Sequence, residues 1–260
     1  MIYCIIPAYN EAANLPRLLR SLAEWAAAHE ERLHLIVIDD GSCDATAEIA
    51  SSFTELPLTL VRHATNLGVD RVFWTGFETA QRLGVQESDL VLTLEADNTS
   101  SLAILSDMVG RGRRGADLVL ASCYAPGGKV VGVNAYRFML SWCANLLLCS
   151  IPGMPRVNTF SSFYRAYRGS LFLGMMRAYG ERLIEEKGFV CVVEILLKCN
   201  ALNPAIEEVP LILDGSQRQG ASTMRVARTI GGYVHLARRA FLGQLAKPQA
   251  LESRKASACS

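Results

Sequence analysis

The sequence predicts an α/β domain with a mostly parallel central sheet flanked by helices, and three observations predict it. Short apolar runs alternate with stretches of helical periodicity through the first half of the chain. Three of those runs end directly in polar or acidic turns, at Pro7–Glu11, Asp39–Ser42 and Glu95–Asp97. The chain has 260 residues, half of them hydrophobic, enough for one large α/β domain with a sizeable core.

In chain order, Tyr3–Ile6 reads as the first strand. Asn14–Ala28 carries Leu15, Leu18, Leu19 and Leu22 at helical spacing. Leu35–Ile38 is a second strand, and Ala45–Phe53 a helix for which Asp44 is a good N-cap. Leu58–Arg62 is a strand, Phe73–Leu83 a helix, Leu90–Leu94 a largely apolar strand, Leu102–Gly110 a helix and Asp117–Ser122 a strand. The second half differs. Tyr136–Cys149 is a strongly apolar helix, Thr159–Arg168 is compact and polar-aromatic, and Phe189–Asn200 is a helix with Glu194 in apolar surroundings. Ile206–Leu213 is a strand whose Pro210 places it near an edge. Arg225 to about Leu245 reads as a C-terminal basic amphipathic helix. The expected organisation is a main domain over 1–222, a helical appendage over 223–246 and a polar, disordered tail over 247–260.

Composition excludes several classes. The net charge is +1 and no stripe of Lys and Arg with interleaved aromatics appears, so a nucleic-acid partner is not expected. The 8 cysteines are scattered, with no C-x-x-C pair and no Cys/His cluster. That usage predicts a reducing compartment and a cytoplasmic location. Met1–Pro7 reads as a strand rather than a signal peptide. No apolar stretch approaches the ~20 residues of a spanning helix; the nearest, Phe138–Ile151, is interrupted by Ser141, Asn145 and Ser150.

Glu95 and Asp97 carry the sharpest chemistry. In extended backbone, residues two apart point to the same side, so the two carboxylates can converge. They sit at the C-terminal end of a strand, where open α/β sheets bind ligands. A hard divalent cation, Mg²⁺ or Mn²⁺, relieves their repulsion. The plainer reading is a solvated acidic turn. No G-x-G-x-x-G follows the first strand, which disfavours a dinucleotide-binding dehydrogenase.

Four stretches together, Ile6-Pro7-Ala8-Tyr9-Asn10-Glu11, Val37-Ile38-Asp39-Asp40-Gly41-Ser42-Cys43-Asp44-Ala45-Thr46, Asn66-Leu67-Gly68 and Glu95-Ala96-Asp97, resemble family 2 glycosyltransferases of the GT-A fold. Within that family the chain is similar to the dolichol-phosphate mannosyltransferases and related polyprenyl-phosphate sugar transferases, over about Ile2 to Ser222. The resemblance implies that Pro7, Tyr9, Glu11, Asp40 and Asn66 hold the nucleotide of a sugar-nucleotide donor. For Asp40 the alternative is a capping role in its turn. It implies a metal, Mg²⁺ or Mn²⁺, on Glu95 and Asp97, with Asp97 and Arg218 as catalytic residues. Arg137, Ser141 and Ser222 would meet the phosphate of a polyprenyl-phosphate acceptor, Arg137 and Ser141 being four apart on one helical face.

The chain departs from the family pattern at several points. Glu95 stands for an Asp, Thr99 for a Gln that can ligate, and Val69-Asp70 for a Lys or small residue followed by Gly. Cys123 replaces a common Arg, Thr159 an Asp, Phe163 a Gly and Thr223 a Lys. The basic residues that remain for phosphates are Arg137, Arg165 and Arg218. Glu194 falls in a segment similar to Gly-Tyr-x-Phe-x-x-Glu and reads either as a partner for an Arg or as half of a buried structural ion pair.

The implied activity is inverting, metal-assisted transfer of a hexose from GDP-mannose or a UDP-sugar to a polyprenyl phosphate. A phosphate acceptor is already an anion and needs no general base, whereas a hydroxyl acceptor does; the missing Asp at Thr159 favours the phosphate. Two alternatives stand beside it: the same chemistry on a soluble hydroxyl acceptor such as a natural product, and a catalytically weak sugar-nucleotide-binding subunit. A lipid acceptor calls for peripheral contact with the cytoplasmic face of a membrane. The arginine-rich C-terminal helix and Tyr136–Cys149 would supply that contact; the helix reads equally as one packed on its own domain with a solvated arginine face.

Overall fold

The structure is a computed structural model that describes residues 1–133, 135–219 and 226–248. Its elements run β1 (Ile2–Ala8), α1 (Leu15–Ala28), β2 (Leu33–Asp39), α2 (Thr46–Ser52), β3 (Leu58–Arg62), α3 (Val69–Arg82), β4 (Leu90–Thr93), α4 (Leu105–Arg114), β5 (Leu118–Ser122), β6 (Lys129–Val131), α5 (Ala135–Cys149), β7 (Arg165–Arg168), α6 (Gly169–Tyr179), α7 (Val190–Asn200), β8 (Ile206–Pro210), β9 (Ile212–Asp214) and α8 (Val226–Phe241).

The main sheet has seven strands in the order β3-β2-β1-β4-β7-β5-β8. All neighbouring pairs are parallel except those of β7, which runs antiparallel to β4 and to β5. β1 shows why its residues form a central strand. Ile2, Cys4 and Ile6 point into one core and Tyr3 and Ile5 into the other, the period-two pattern of a strand covered on both faces. On the Cys4 face, Leu15, Leu18, Leu19 and Leu22 of α1 pack with Leu105, Met108 and Val109 of α4. On the Ile5 face, α3, α6 and α7 supply Phe73, Phe77, Phe172, Met175, Val193 and Leu196. Tyr233, Leu236 and Ala237 of α8 join this second core.

Strand order places the site. From β1 the chain steps outward to β2 and β3, then returns to put β4 on the other side of β1. Connections therefore diverge between β1 and β4, and the crevice at the C-terminal ends of these strands is where such sheets take ligands.

The structure differs from the sequence reading in several elements. α3 begins at Val69 rather than Phe73, because Gly68 with φ +95° turns the chain directly into the helix. The expected helix Leu102–Gly110 starts as a 3-10 turn over Leu102–Ile104 and continues to Arg114. The expected strand Ile206–Leu213 is two strands. Pro210 has no N–H to continue the ladder, and the chain crosses to pair β9 with β6 in a separate two-stranded sheet. As expected from Pro210, β8 lies at the sheet edge. Helix α6 was not anticipated, and α8 is shorter than the predicted span; Arg225 and most of 247–260 lie outside the described residues. Among the described residues no helix is long and apolar enough to cross a membrane. The seven described cysteines are free thiols.

Candidate active site

The turns after β1 and β2 are stitched together by their own side chains. Asn10 N–H donates to Ser42 Oγ (2.9 Å), Cys43 N–H to Asn10 Oδ1 (2.9 Å), Glu11 N–H to Thr46 Oγ1 (2.8 Å) and Ala12 N–H to Asp44 Oδ2 (3.1 Å). Asp44 also accepts the N–H of Thr46, the first residue of α2, at 3.0 Å. Asn10 can make this turn because Asn tolerates its φ of +55°. Gly41 has φ +71°, and a Cβ there would lie 2.5 Å from the Thr65 carbonyl carbon, so only glycine lets the Thr65–Asn66 backbone approach.

Asp40, 3% exposed, organises the next loop. Its Oδ1 accepts from His63 Nδ1 (2.7 Å) and Leu67 N–H (2.9 Å), and its Oδ2 from Gly68 N–H (2.9 Å). His63 Nε2 continues to Thr75 Oγ1 on α3 (3.0 Å). The turn-capping role considered for Asp40 is therefore a visible one, and Asp40 also lines the cleft.

At the end of β4 the two carboxylates differ. Asp97 is 2% exposed and fully engaged: Oδ1 accepts Thr99 N–H (2.9 Å) and Thr99 Oγ1–H (2.7 Å), and Oδ2 pairs with the Arg218 guanidinium. Thr99 thus fixes Asp97. Glu95 is partly buried and makes no hydrogen bond or ion pair among the described residues. Burial raises its carboxyl to about 7; Arg218 opposes the rise and Glu11 adds to it. Burial also raises Glu11, opposed by its hydrogen bond from Asn14 and by Arg218. Among the described residues no group of three or more His, Cys, Asp and Glu could hold a metal on its own. The donor set present, an unengaged Glu95 and a shared Asp97, suits a cation that takes one or two carboxylates and completes its shell from diphosphate and water, the habit of Mg²⁺.

Beyond this pair the cleft, about 1700 Å³, opens between α3, α5 and α8. Ser141 of α5 lines it and accepts the Tyr124 hydroxyl (3.0 Å). Phe163 takes a structural use that the family's glycine does not have: it stacks on Phe189 with ring centroids 5.6 Å apart and meets Phe73 edge-on at 5.2 Å, forming an aromatic wall. Asp70 accepts Gly188 N–H (2.8 Å) and pairs with Lys187 (3.4 Å), tying the start of α3 to the segment 185–188. Thr159, where the family has Asp, shares a buried hydrogen bond with Ser122 (2.7 Å).

Glu194 is the buried ion pair rather than a partner for an arginine. It meets Lys198 Nζ at 2.8 Å, with Glu194 0% and Lys198 2% exposed. Its other oxygen accepts the N–H groups of Glu185 and Glu186 (2.8 and 2.7 Å), which line the cleft. Burial raises the Glu194 carboxyl against the pull of Lys198. Arg239 of α8 pairs with Glu186 (2.5 Å) and Glu185 (3.4 Å), fastening α8 to the same segment.

Pro7, Tyr9, Glu11, Asp40, Asn66, Glu95, Asp97, Ser141 and Arg218 all line this one cleft. Ser222 lies outside the described residues; Arg137 is on α5, but its side chain lies outside the described set. Arg165 is a correction. Counted from sequence among the basic groups left for phosphates, it is 1% exposed in the core, donating to Val192 O (2.9 Å) and Phe160 O (2.8 Å). Sequence reasoning missed Asn14, Thr99 as the holder of Asp97, His63 and Arg239. Only Thr99 carried a local signal, an Asp-x-Thr spacing at which the side chain caps its own turn.

Comparison with known proteins agrees with this fold. The family model described as glycosyl transferase family 2 matches residues 3–175. The chain is 30% identical over 212 residues to an undecaprenyl-phosphate mannosyltransferase of Micrococcus luteus, covering 81% of this chain and 82% of that protein. It is 26% identical over 230 residues to a polyprenol monophosphomannose synthase of Mycolicibacterium smegmatis, covering 86% and 82%. Among solved structures it is similar in fold to glucosyl-3-phosphoglycerate synthase of Mycobacterium tuberculosis, crystallised with Mn²⁺, UDP and glucosyl-3-phosphoglycerate. That match has a TM-score of 0.61 at 19% identity and covers 95% of this chain and 81% of that one. It also matches TarS 1-349 of S. aureus with a TM-score of 0.55 at 19% identity, covering 82% of this chain and spanning 60% of that one.

Proposed function

The chain belongs to glycosyl transferase family 2 and is a nucleotide-sugar-dependent glycosyltransferase; from that premise we propose that it transfers a hexose, mannose by the names of its relatives, to a polyprenyl phosphate with inversion. One observation carries the acceptor. Helices α5 and α8, which line the cleft through Ser141, Gly232, His235 and Arg239, also bear exposed apolar side chains. Met139, Trp142 and Leu146 on α5 are 51%, 53% and 58% exposed, and Val234 and Phe241 on α8 are 54% and 63% exposed. At positions i, i+3 and i+7, the α5 residues form one stripe. Such a surface beside the cleft suits a lipid whose phosphate enters while its chain stays in a bilayer, with Arg228 and Arg238 available to anionic headgroups.

In this reading the turns carrying Pro7, Tyr9, Glu11, Asp40 and Asn66 hold the nucleotide, and the acceptor phosphate enters past Ser141, with Arg137 and Ser222 the further contacts that the family resemblance implies. A phosphate oxygen, already anionic, attacks the anomeric carbon in line as the nucleoside diphosphate leaves, so no side chain removes a proton. Glu95 and Asp97 would hold Mg²⁺ or Mn²⁺, which when bound supplies Lewis-acid neutralisation of charge on the leaving diphosphate. Arg218 adds positive charge at the same place and exchanges Asp97 for the diphosphate when the donor enters.

Incubation with labelled GDP-mannose and UDP-sugars tests the proposal. With polyprenyl phosphate present, label is expected in the organic phase. Label appearing only on water-soluble hydroxyl compounds would replace the acceptor, and donor binding without turnover would indicate a non-catalytic subunit.

A further inference from the structure

We propose that Asn14 is the positioning residue that sets Arg218 against the acidic pair. The inference rests on the transfer reading above for its kinetic consequence, though not for its structural one. Asn14 stands immediately before α1 and is 2% exposed. Its side-chain amide is matched to the backbone donor and acceptor of Gln219: Gln219 N–H donates to Asn14 Oδ1 at 3.0 Å, and Asn14 Nδ2 donates to Gln219 O at 3.0 Å. The second hydrogen of Nδ2 goes to Glu11 Oε2 at 2.7 Å. Asn14's own carbonyl accepts from Asn98 Nδ2 at 2.9 Å. One residue therefore joins the turn after β1, the turn after β4 and the segment beyond β9 that bears Arg218.

Two features single out Asn14 within this contact. Arg17, one turn along α1, donates to Gln217 Oε1 at 2.8 Å, so both chain neighbours of Arg218 are gripped by the start of α1. That second grip is exposed to solvent and correspondingly weak, whereas the Asn14 amide is buried with both donors and its acceptor used. Pairing with both the N–H and the C=O of one residue needs a donor and an acceptor on one short side chain. Asn supplies both; Asp lacks the donor and Ser lacks the span. With Gln219 fixed, the Arg218 guanidinium is delivered to Asp97 beside Glu95. Asn14 touches no reacting atom in this account and works through Arg218.

The test is a double-mutant cycle with Asn14→Ala and Arg218→Ala, read by kcat at saturating donor and acceptor and by hydrogen exchange at residues 215–219. Asn14→Ala is expected to lower kcat about 10–100-fold and to speed exchange at the Gln219 amide. In the Arg218→Ala background it is expected to lower kcat by less than about twofold, since the group it positions is gone. Asn14→Asp, which keeps Oδ1 and is the second variant should Asn14→Ala fold poorly, is expected to show an intermediate loss. Unchanged kcat in both Asn14 variants, an undiminished loss in the Arg218→Ala background, or unchanged exchange at Gln219 would overturn the proposal. The exchange measurement requires no acceptor, so it stays decisive if transfer to polyprenyl phosphate is not found.

Discussion

Arg218 closes onto Asp97: the guanidinium, from the segment after β9, pairs with the carboxylate oxygen that Thr99 leaves open. The pair joins residues 121 positions apart across the mouth of the cleft. In the proposed reaction both halves would serve the same diphosphate, Asp97 as a ligand to the cation and Arg218 as a direct partner.

Arg218→Lys is expected to lower kcat about 10-fold and Arg218→Ala about 100-fold or more. A guanidinium presents a planar fork to phosphate that an ammonium lacks, and loss of one preorganised charged donor costs roughly 10²–10³ in rate. Steady-state kinetics with saturating substrates check this.

Glu95 predicts a pH dependence of stability. Its carboxyl sits raised to about 7 against an ordinary value near 4.5. The folded protein thus holds more protons than the unfolded chain between these values, so this contribution to stability falls as pH rises through that window. Glu95→Gln should remove the slope and stabilise the metal-free protein above pH 7, by at most about 3 kcal/mol. Thermal melts from pH 5 to pH 8 measure it. Excess Mn²⁺, which favours the ionised carboxylate, should flatten the wild-type slope.

Asp40→Ala is expected to cost about 2–3 kcal/mol of stability and to weaken donor binding. It strips the acceptor from His63 and from the N–H groups of Leu67 and Gly68 at once. Denaturant unfolding and nucleotide titration report the two effects.

The lipid reading predicts that Met139→Ser, Trp142→Ser and Leu146→Ser together abolish flotation with anionic vesicles. Transfer to a short, water-soluble polyprenyl phosphate should stay within about threefold of wild type. These side chains are exposed, so little stability rides on them.

Much of this arrangement is legible in the sequence because its determinants are local. Leu90, Val91 and Leu92 are apolar because β4 is covered on both faces, and Leu15, Leu18, Leu19 and Leu22 mark α1 by spacing alone. The turns at Pro7–Glu11, Asp39–Ser42 and Glu95–Asp97 could be grouped because parallel strands place their C-terminal ends together. What was not legible depends on distant partners. The antiparallel β7 is defined by β4 and β5, far away in the chain. Helix α6 buries Leu171, Phe172, Met175, Met176 and Tyr179 at helical spacing, but Leu173 and Ala178 blur that stripe in the sequence. Arg165 resembles a phosphate ligand until the carbonyls of Phe160 and Val192 claim it. Asn14 looks like any helix-start asparagine, and its partner Gln219 is 205 residues away.

Transfer of labelled mannose from GDP-mannose to polyprenyl phosphate, run side by side for wild type and Asp97→Ala in the presence of Mn²⁺, is the decisive measurement. Organic-phase product is expected from wild type, with the anomeric configuration inverted, and at least a 100-fold loss in the variant. Full activity of Asp97→Ala, a retained configuration, or the absence of lipid-linked product from the wild type with every donor supplied would contradict the proposed reaction.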